Sequence, residues 1–245
     1  MRGLSQLALA LGFACLVAGW WFGGALPPHA ALAASVLTEP DQTQTRLAPF
    51  STEVGGIQYQ IKPVFDYAIE GLVVSEHDSG GFFDIIHADW NDNLNVVDLC
   101  VVWGANASDG AYEKMEFSSG QFVCYFNTHD RQAAQPQYFR ALSNNHLLTD
   151  DPVIARRLRN VRIGDQISLR GQLVEYSHDH GFAFHRGTST TRDDTGDGAC
   201  ETIFVRQFSV LRKGPVWPRV LGWLGCALLV VGVIAWFRQP LSLNN

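Results

Sequence analysis

An unbroken run of 18 uncharged residues, Val220–Phe237, limits what this chain can fold into more than any other feature. As a helix rising about 1.5 Å per residue, it covers most of a hydrocarbon core of roughly 30 Å. Arg219 and Arg238 bracket it, and Trp217, Trp223 and Trp236 lie near its boundaries, where amphipathic rings favour a membrane interface. A second apolar stretch, Leu4–Leu26, follows Arg2 and ends in Trp20, Trp21 and Phe22. At about 23 residues it is also long enough to cross a bilayer. A basic start followed by Ala31-Leu32-Ala33 equally fits a signal peptide cut near Ala33.

The expected organisation is therefore a transmembrane helix or signal peptide at 1–26, a linker at 27–56, a folded domain at 57–213 and a transmembrane helix at 218–238. Retention of the first helix makes the chain two-pass, and cleavage near Ala33 makes it single-pass. Gly19-x-x-x-Gly23 and Gly222-x-x-x-Cys226 offer small residues for helix contact. The two ends disagree on orientation. Arg2 keeps the amino terminus in the cytoplasm and sends the domain outside, whereas Arg206, Arg212, Lys213 and Arg219 crowd the domain side of the second helix. Long domains translocate largely regardless of charge, so the outside placement is the expectation.

From Glu39 to Lys213 there are 24 acids and 15 Lys plus Arg, a net charge of −9. Nucleic acid is not the expected partner of such a surface. Five cysteines divide into Cys15 and Cys226 in the apolar ends and Cys100, Cys124 and Cys200 in the domain. Cys100 and Cys124 each fall in a strand-like run, so a disulfide between them is the candidate pairing, with three buried reduced thiols as the alternative.

Within the domain the pattern is mainly β. Tyr67–Ser75, Leu94–Trp103, Gln121–Phe126, Gln166–Tyr176 and Thr202–Leu211 read as strands. One helix interrupts them: Asp151 caps it, Pro152 occupies its first position, Ile154, Leu158 and Val161 share a face, and Gly164-Asp165 ends it. Three strands, a helix and two strands is the order of a five-stranded OB-like barrel, with the helix between strands 3 and 4. Gly71 and Gly171, each in mid-strand, suit strongly coiled barrel strands. A β-sandwich with one helix is the alternative.

The phrases Leu142-Ser-Asn-Asn-His-Leu-Leu-Thr149, Gly187-Thr-Ser-Thr-Thr-Arg192 and Gly198-Ala-Cys-Glu201 resemble those of an uncharacterised family of membrane-anchored bacterial proteins, over about residues 57–211. That resemblance implies an inner-membrane chain with an OB-like periplasmic domain. It carries over no activity.

Candidate chemistry gathers in the last long loop. His178 and His180 alternate so as to point the same way if the strand continues, a candidate metal-binding pair to which His185, His77 and His87 are further candidate ligands. Asp193, Thr195 and Asp197 partly resemble a calcium loop, but Phe204 stands where a bidentate glutamate belongs. Arg186, Ser189, Arg192 and Trp90 are the candidate ligand or partner contacts, and Arg156, Arg157, Arg159 and Arg162 the candidate contacts for anionic lipid. No G-x-S-x-G elbow, H-E-x-x-H or phosphate loop is present. The leading expectation is a membrane-anchored extracytoplasmic module, not an enzyme and without a cofactor, that binds or stabilises a protein of a membrane or envelope complex. The alternative is a metal-dependent hydrolase or metal-binding protein built on the His178–His185 loop.

Overall fold

Arg2–Trp21 and Trp217–Phe237 form the two apolar helices, each long and apolar enough to cross a membrane. They belong to one unit of the computed structural model, which describes residues 2–81, 84–193 and 200–238; Leu26–Gly214 is the other unit. The helices run antiparallel through backbone contact at glycines. A Cβ at Gly12 would stand 2.9 Å from the Leu229 nitrogen, one at Gly19 would stand 2.7 Å from the Pro218 carbonyl, and one at Gly225 would stand 2.8 Å from the Gly12 carbonyl. Of the expected small-residue motifs, Gly19 and Gly222 meet, while Gly23 lies beyond the helix and Cys226 is exposed.

Among the described residues the Leu26–Gly214 unit has ten strands: β1 Asp41–Gln44, β2 Phe50–Val54, β3 Ile57–His77, β4 Asn95–Val102, β5 Glu116–Gly120, β6 Val123–Asn127, β7 Leu142–Leu148, β8 Gln166–His178, β9 Phe184–Arg186 and β10 Glu201–Arg212. Eight of them form one mixed sheet, and β5 and β6 form a separate hairpin. Antiparallel pairings join β3 to β4, β4 to β7, β10 to β8 and β8 back to β3, while β7 and β10 run parallel. Strands in this circuit press closely together. At Gly171, opposite Val205, a Cβ would stand 2.0 Å from the Phe204 carbonyl, so no side chain fits.

Two expectations change. Residues 27–56, expected as a linker, include β1 and β2, which pair along β3. The stretch 121–126, expected as the third strand of the sheet, instead lies at the tip and return strand of the β5–β6 hairpin, and β7 takes that place. The helix falls where its cap predicts: it spans Pro152–Arg159, and Asp151 accepts from the Val153 and Ile154 N–H groups at 2.7 and 3.2 Å.

Because strand side chains alternate, each face of the sheet can be read from the register. Val97, Leu99, Val101, Leu147, Ile203 and Val205 join the main core with Ile69, Leu158, Val161, Leu169 and Leu173. The opposite face carries one apolar cluster around Leu148, Phe204, Tyr176 and Tyr59, and another around Cys100, Val102, Leu72 and Tyr112. Between them runs a polar row, His77–Asp98–His146–Thr202, paired residue by residue across β3, β4, β7 and β10.

Candidate functional site

This polar row lies under a roof, so its groups are held by one another rather than by water. Asp98, His146 and Thr202 are fully buried, and His87 and Asn95 nearly so. Three segments make the roof: the loop 84–93 with its helical turn Ile86–Asp89, the tip of the β5–β6 hairpin, and β9. Asp84 starts the turn. Its Oδ1 accepts the His87 N–H at 2.9 Å, and its Oδ2 takes His77 Nε2 at 2.7 Å and His87 Nδ1 at 2.6 Å.

From there the bonds form a chain. Asn95 Nδ2 lies 2.9 Å from His87 Nε2 and 2.9 Å from Asp98 Oδ1, and Asp98 Oδ1 also meets His146 Nδ1 at 2.7 Å. Arg186 Nη2 donates to His146 Nε2 at 2.5 Å. An amide nitrogen and a guanidinium can only donate, so both Nε2 atoms accept and both histidines carry their proton on Nδ1. Burial holds His87 and His146 below the ordinary histidine range. Burial alone would raise the Asp98 carboxyl, yet the hydrogen bonds and charges of His146, Asn95 and His87 bring it below the usual carboxylate range.

Phe122, at the hairpin tip, covers this chain. Its ring stacks on His87 at 3.9 Å, and the Arg186 guanidinium sits 4.1 Å from the ring centre. Phe122 has φ +63°, a left-handed conformation uncommon outside glycine, and its carbonyl accepts from Asn144 Nδ2 at 3.1 Å. A disulfide between Cys100 and Cys124 ties the hairpin to β4, two residues from Asp98 in one strand and two from Phe122 in the other.

Hydrogen bonds also hold the loop 90–93 from below. Tyr176 donates to Asp92 Oδ2 at 2.6 Å; Tyr59 donates to the Asn91 carbonyl at 2.5 Å and accepts the Asn93 N–H at 2.9 Å. Burial pushes the Asp92 carboxyl up to about 6. Above the loop, Ile85, Trp90 and Phe182 expose apolar surface.

The sequence-derived candidates separate accordingly. His77 and His87 meet, joined by Asp84, and one donor atom from each of the three lies within 4.8 Å of the others. His178 does not join them: its Nε2 meets the Trp90 carbonyl at 2.9 Å and its Nδ1 accepts the His180 N–H at 3.1 Å. The pairing with His180 fails because β8 ends at His178 and the chain turns at Gly181, with φ +81°. His180 is exposed, and His185 is an exposed neighbour of Glu175 at 3.8 Å. Asp193 pairs with Arg140, and Asp197 lies outside the described residues.

Trp90 and Arg186 are in the roof. Ser189 and Arg192 instead secure the following loop, through the Thr191 carbonyl and through Glu201 and Tyr67 respectively. On the Pro152–Arg159 helix and after it, Arg162 donates to the Arg159 and Val161 carbonyls, while Arg156 and Arg159 border a hollow with Asp150 and Asp151. Sequence reasoning missed Asn95, Asp98, Asn144, His146 and Phe122. The available signal was polarity out of place: Asn144-Asn145-His146 beside Leu147-Leu148, and Asp98 inside the apolar run Val96–Val102. No protein family, curated protein or solved structure matches this chain.

Proposed function

We propose that this chain is a membrane-anchored, extracytoplasmic binding module of OB-like architecture, acting on another protein of the membrane or envelope through the roof of the polar row. The observation that carries the reading is the pairing of exposed apolar side chains with a fixed base: Ile85, Trp90 and Phe182 face solvent, while Tyr59, Tyr176 and His178 bond the loop beneath them. A surface held in one shape loses little freedom when a partner docks.

The two apolar helices support anchoring, and their antiparallel contact gives the first helix a reason to be retained. The Cys100–Cys124 disulfide supports an oxidising compartment, hence the periplasm for a bacterial chain. The circuit of pairings β3–β4–β7–β10–β8–β3, with β7 parallel to β10 and the helix between β7 and β8, supports the OB-like part. A binding role is favoured over catalysis because the best base is committed: His146 Nε2 is taken by Arg186. Burial also pushes the Cys200 thiol up, away from the reactive thiolate.

The test is affinity purification of the full chain from detergent-solubilised membranes. A partner should co-purify with the wild type and be lost with Ile85→Ser plus Trp90→Ala, while Arg157→Ala, on the exposed helix, retains it. A chain that stays solitary at native expression refutes the reading.

A further inference from the structure

We propose that His77, Asp84 and His87 form a binding site for a divalent transition-metal cation, with Zn2+ the ion whose ligand preferences they match. Two imidazoles and a carboxylate are a recurrent zinc ligand set that leaves one corner open. The three come from one short stretch: His77 ends β3, and Asp84 and His87 are three residues apart around the helical turn. Asp84 and His87 are closed off, with side chains 0% and 1% exposed, whereas His77 is 21% exposed, so an ion and its water ligand enter past His77. Zinc–ligand bonds of about 2.0–2.1 Å hold donors roughly 3.3 Å apart in a tetrahedron. The Asp84 contacts of 2.6 and 2.7 Å therefore need to open by only a fraction of an ångström.

A second observation comes from the buried oxygens behind the site. Metal bound at His87 Nδ1 requires the ring hydrogen on Nε2, the atom facing Asn95. Asn95 Oδ1 and Asp98 Oδ2 are buried and have no hydrogen-bond partner among the described residues. Asp98, bonded to the far side of the Asn95 amide, keeps a free carboxylate oxygen there, and a carboxylate behind the imidazole is the usual companion of a zinc-bound histidine. Unpaired buried oxygens are costly, and metal binding gives this one a use. Phe122, stacked on His87, keeps the ring fixed and excludes water from behind it.

This inference goes beyond the partner reading and does not depend on it: zinc binding without a partner, or a partner without zinc, separates the two. The full-length chain in detergent micelles, stripped with a chelator, is titrated with Zn2+ alone. Calorimetry reads affinity and elemental analysis reads stoichiometry. The expected result is about one zinc per chain, retained in His180→Ala plus His185→Ala, both exposed, and in Cys200→Ser. Asp84→Asn keeps the shape of the side chain, and His77→Ala changes a partly exposed one. Each is expected to weaken binding at least 100-fold, and Asn95→Leu by about 10- to 100-fold. Folding of each variant is checked by near-UV circular dichroism; if Asp84→Asn unfolds, His77→Ala decides. Well below one equivalent in folded wild type, or undiminished affinity in folded His77→Ala, overturns the proposal.

Discussion

Arg186 donates to His146 Nε2 at 2.5 Å, and that single contact fixes which nitrogen of a buried histidine holds the proton. A guanidinium has no lone pair to offer, so Nε2 accepts and Nδ1–H faces Asp98 at 2.7 Å. His146 sits below the ordinary histidine range first because it is buried, and the positive charge of Arg186 adds to the effect against the pull of Asp98. Arg186→Met removes that charge and leaves Nε2 free for a second proton. The His146 titration, followed by imidazole 15N shifts, should move upward; a curve that superimposes on wild type contradicts the assignment.

Asp92 and the two buried histidines oppose each other in their pH dependence. Burial raises the folded-state carboxyl of Asp92 from 3.8 to about 6, so between those values the folded chain binds more protons than the unfolded one. This contribution to stability is present at low pH and is lost as pH rises from about 4 to about 6. His87 and His146 are lowered by burial, so the unfolded chain takes protons first and stability falls as pH drops below about 6.5. Asp92→Asn keeps an acceptor for Tyr176 at the cost of the long 3.4 Å bond from the Asn95 N–H. It should raise stability at pH 7 by on the order of 1–2 kcal/mol and remove the fall in stability that Asp92 causes between about pH 4 and 6. Thermal unfolding of both proteins from pH 4 to 7 checks this; parallel profiles rule it out.

How legible the chain is depends on how local each signal is. The Asp151-Pro152 cap and the Gly164-Asp165 stop are local, and the helix between them forms where they place it. The apolar runs of β4, β8 and β10 were also readable, because an alternating or continuous apolar strand is its own evidence. β7 was not: Ser143, Asn144, Asn145 and His146 carry no apolar pattern, and they are buried only because β4 and β10 bring them partners from 42 to 56 residues away. The site failed to show for the same reason. Asp98 pairs with His146 through register, and Arg186 arrives on β9; neither spacing has a motif. His77 and His87 were visible as ligand types, but the turn that selects Asp84 over Asp78 or Asp89 to bind them is a property of the fold.

The Cys100–Cys124 bond closes a loop with a sequence separation of 24 and holds the hairpin tip against the polar row. Replacing both cysteines with alanine should cost about 3 kcal/mol in global stability, from the chain entropy returned to the unfolded state. It should also have a local effect. With the tether gone, Phe122 depends on its stacking with His87 and on the Asn144 bond to its carbonyl. Amide exchange across 116–127 should therefore speed up well beyond what the global loss explains, while β3, β4 and β8 follow the global change. Uniform acceleration throughout the sheet counts against a tethered lid.

Glycine contact sets the spacing of the two apolar helices. Gly12 faces Gly225 and Leu229, and Gly19 faces Pro218 and Gly222, each with backbone atoms within 3.0 Å of where a Cβ would stand. Such proximity is what small residues supply in a bilayer, where apolar burial alone gives helices no preference for one another over lipid. Leucine at Gly12 or Gly19 must push the helices apart. Cys15 and Cys226 are free thiols on opposite helices, and spin labels attached to them report the separation of the helices. Pulsed electron spin resonance should give a longer label-to-label distance in Gly12→Leu and Gly19→Leu than in wild type. Equal distances in all three would mean that the glycines do not set the packing.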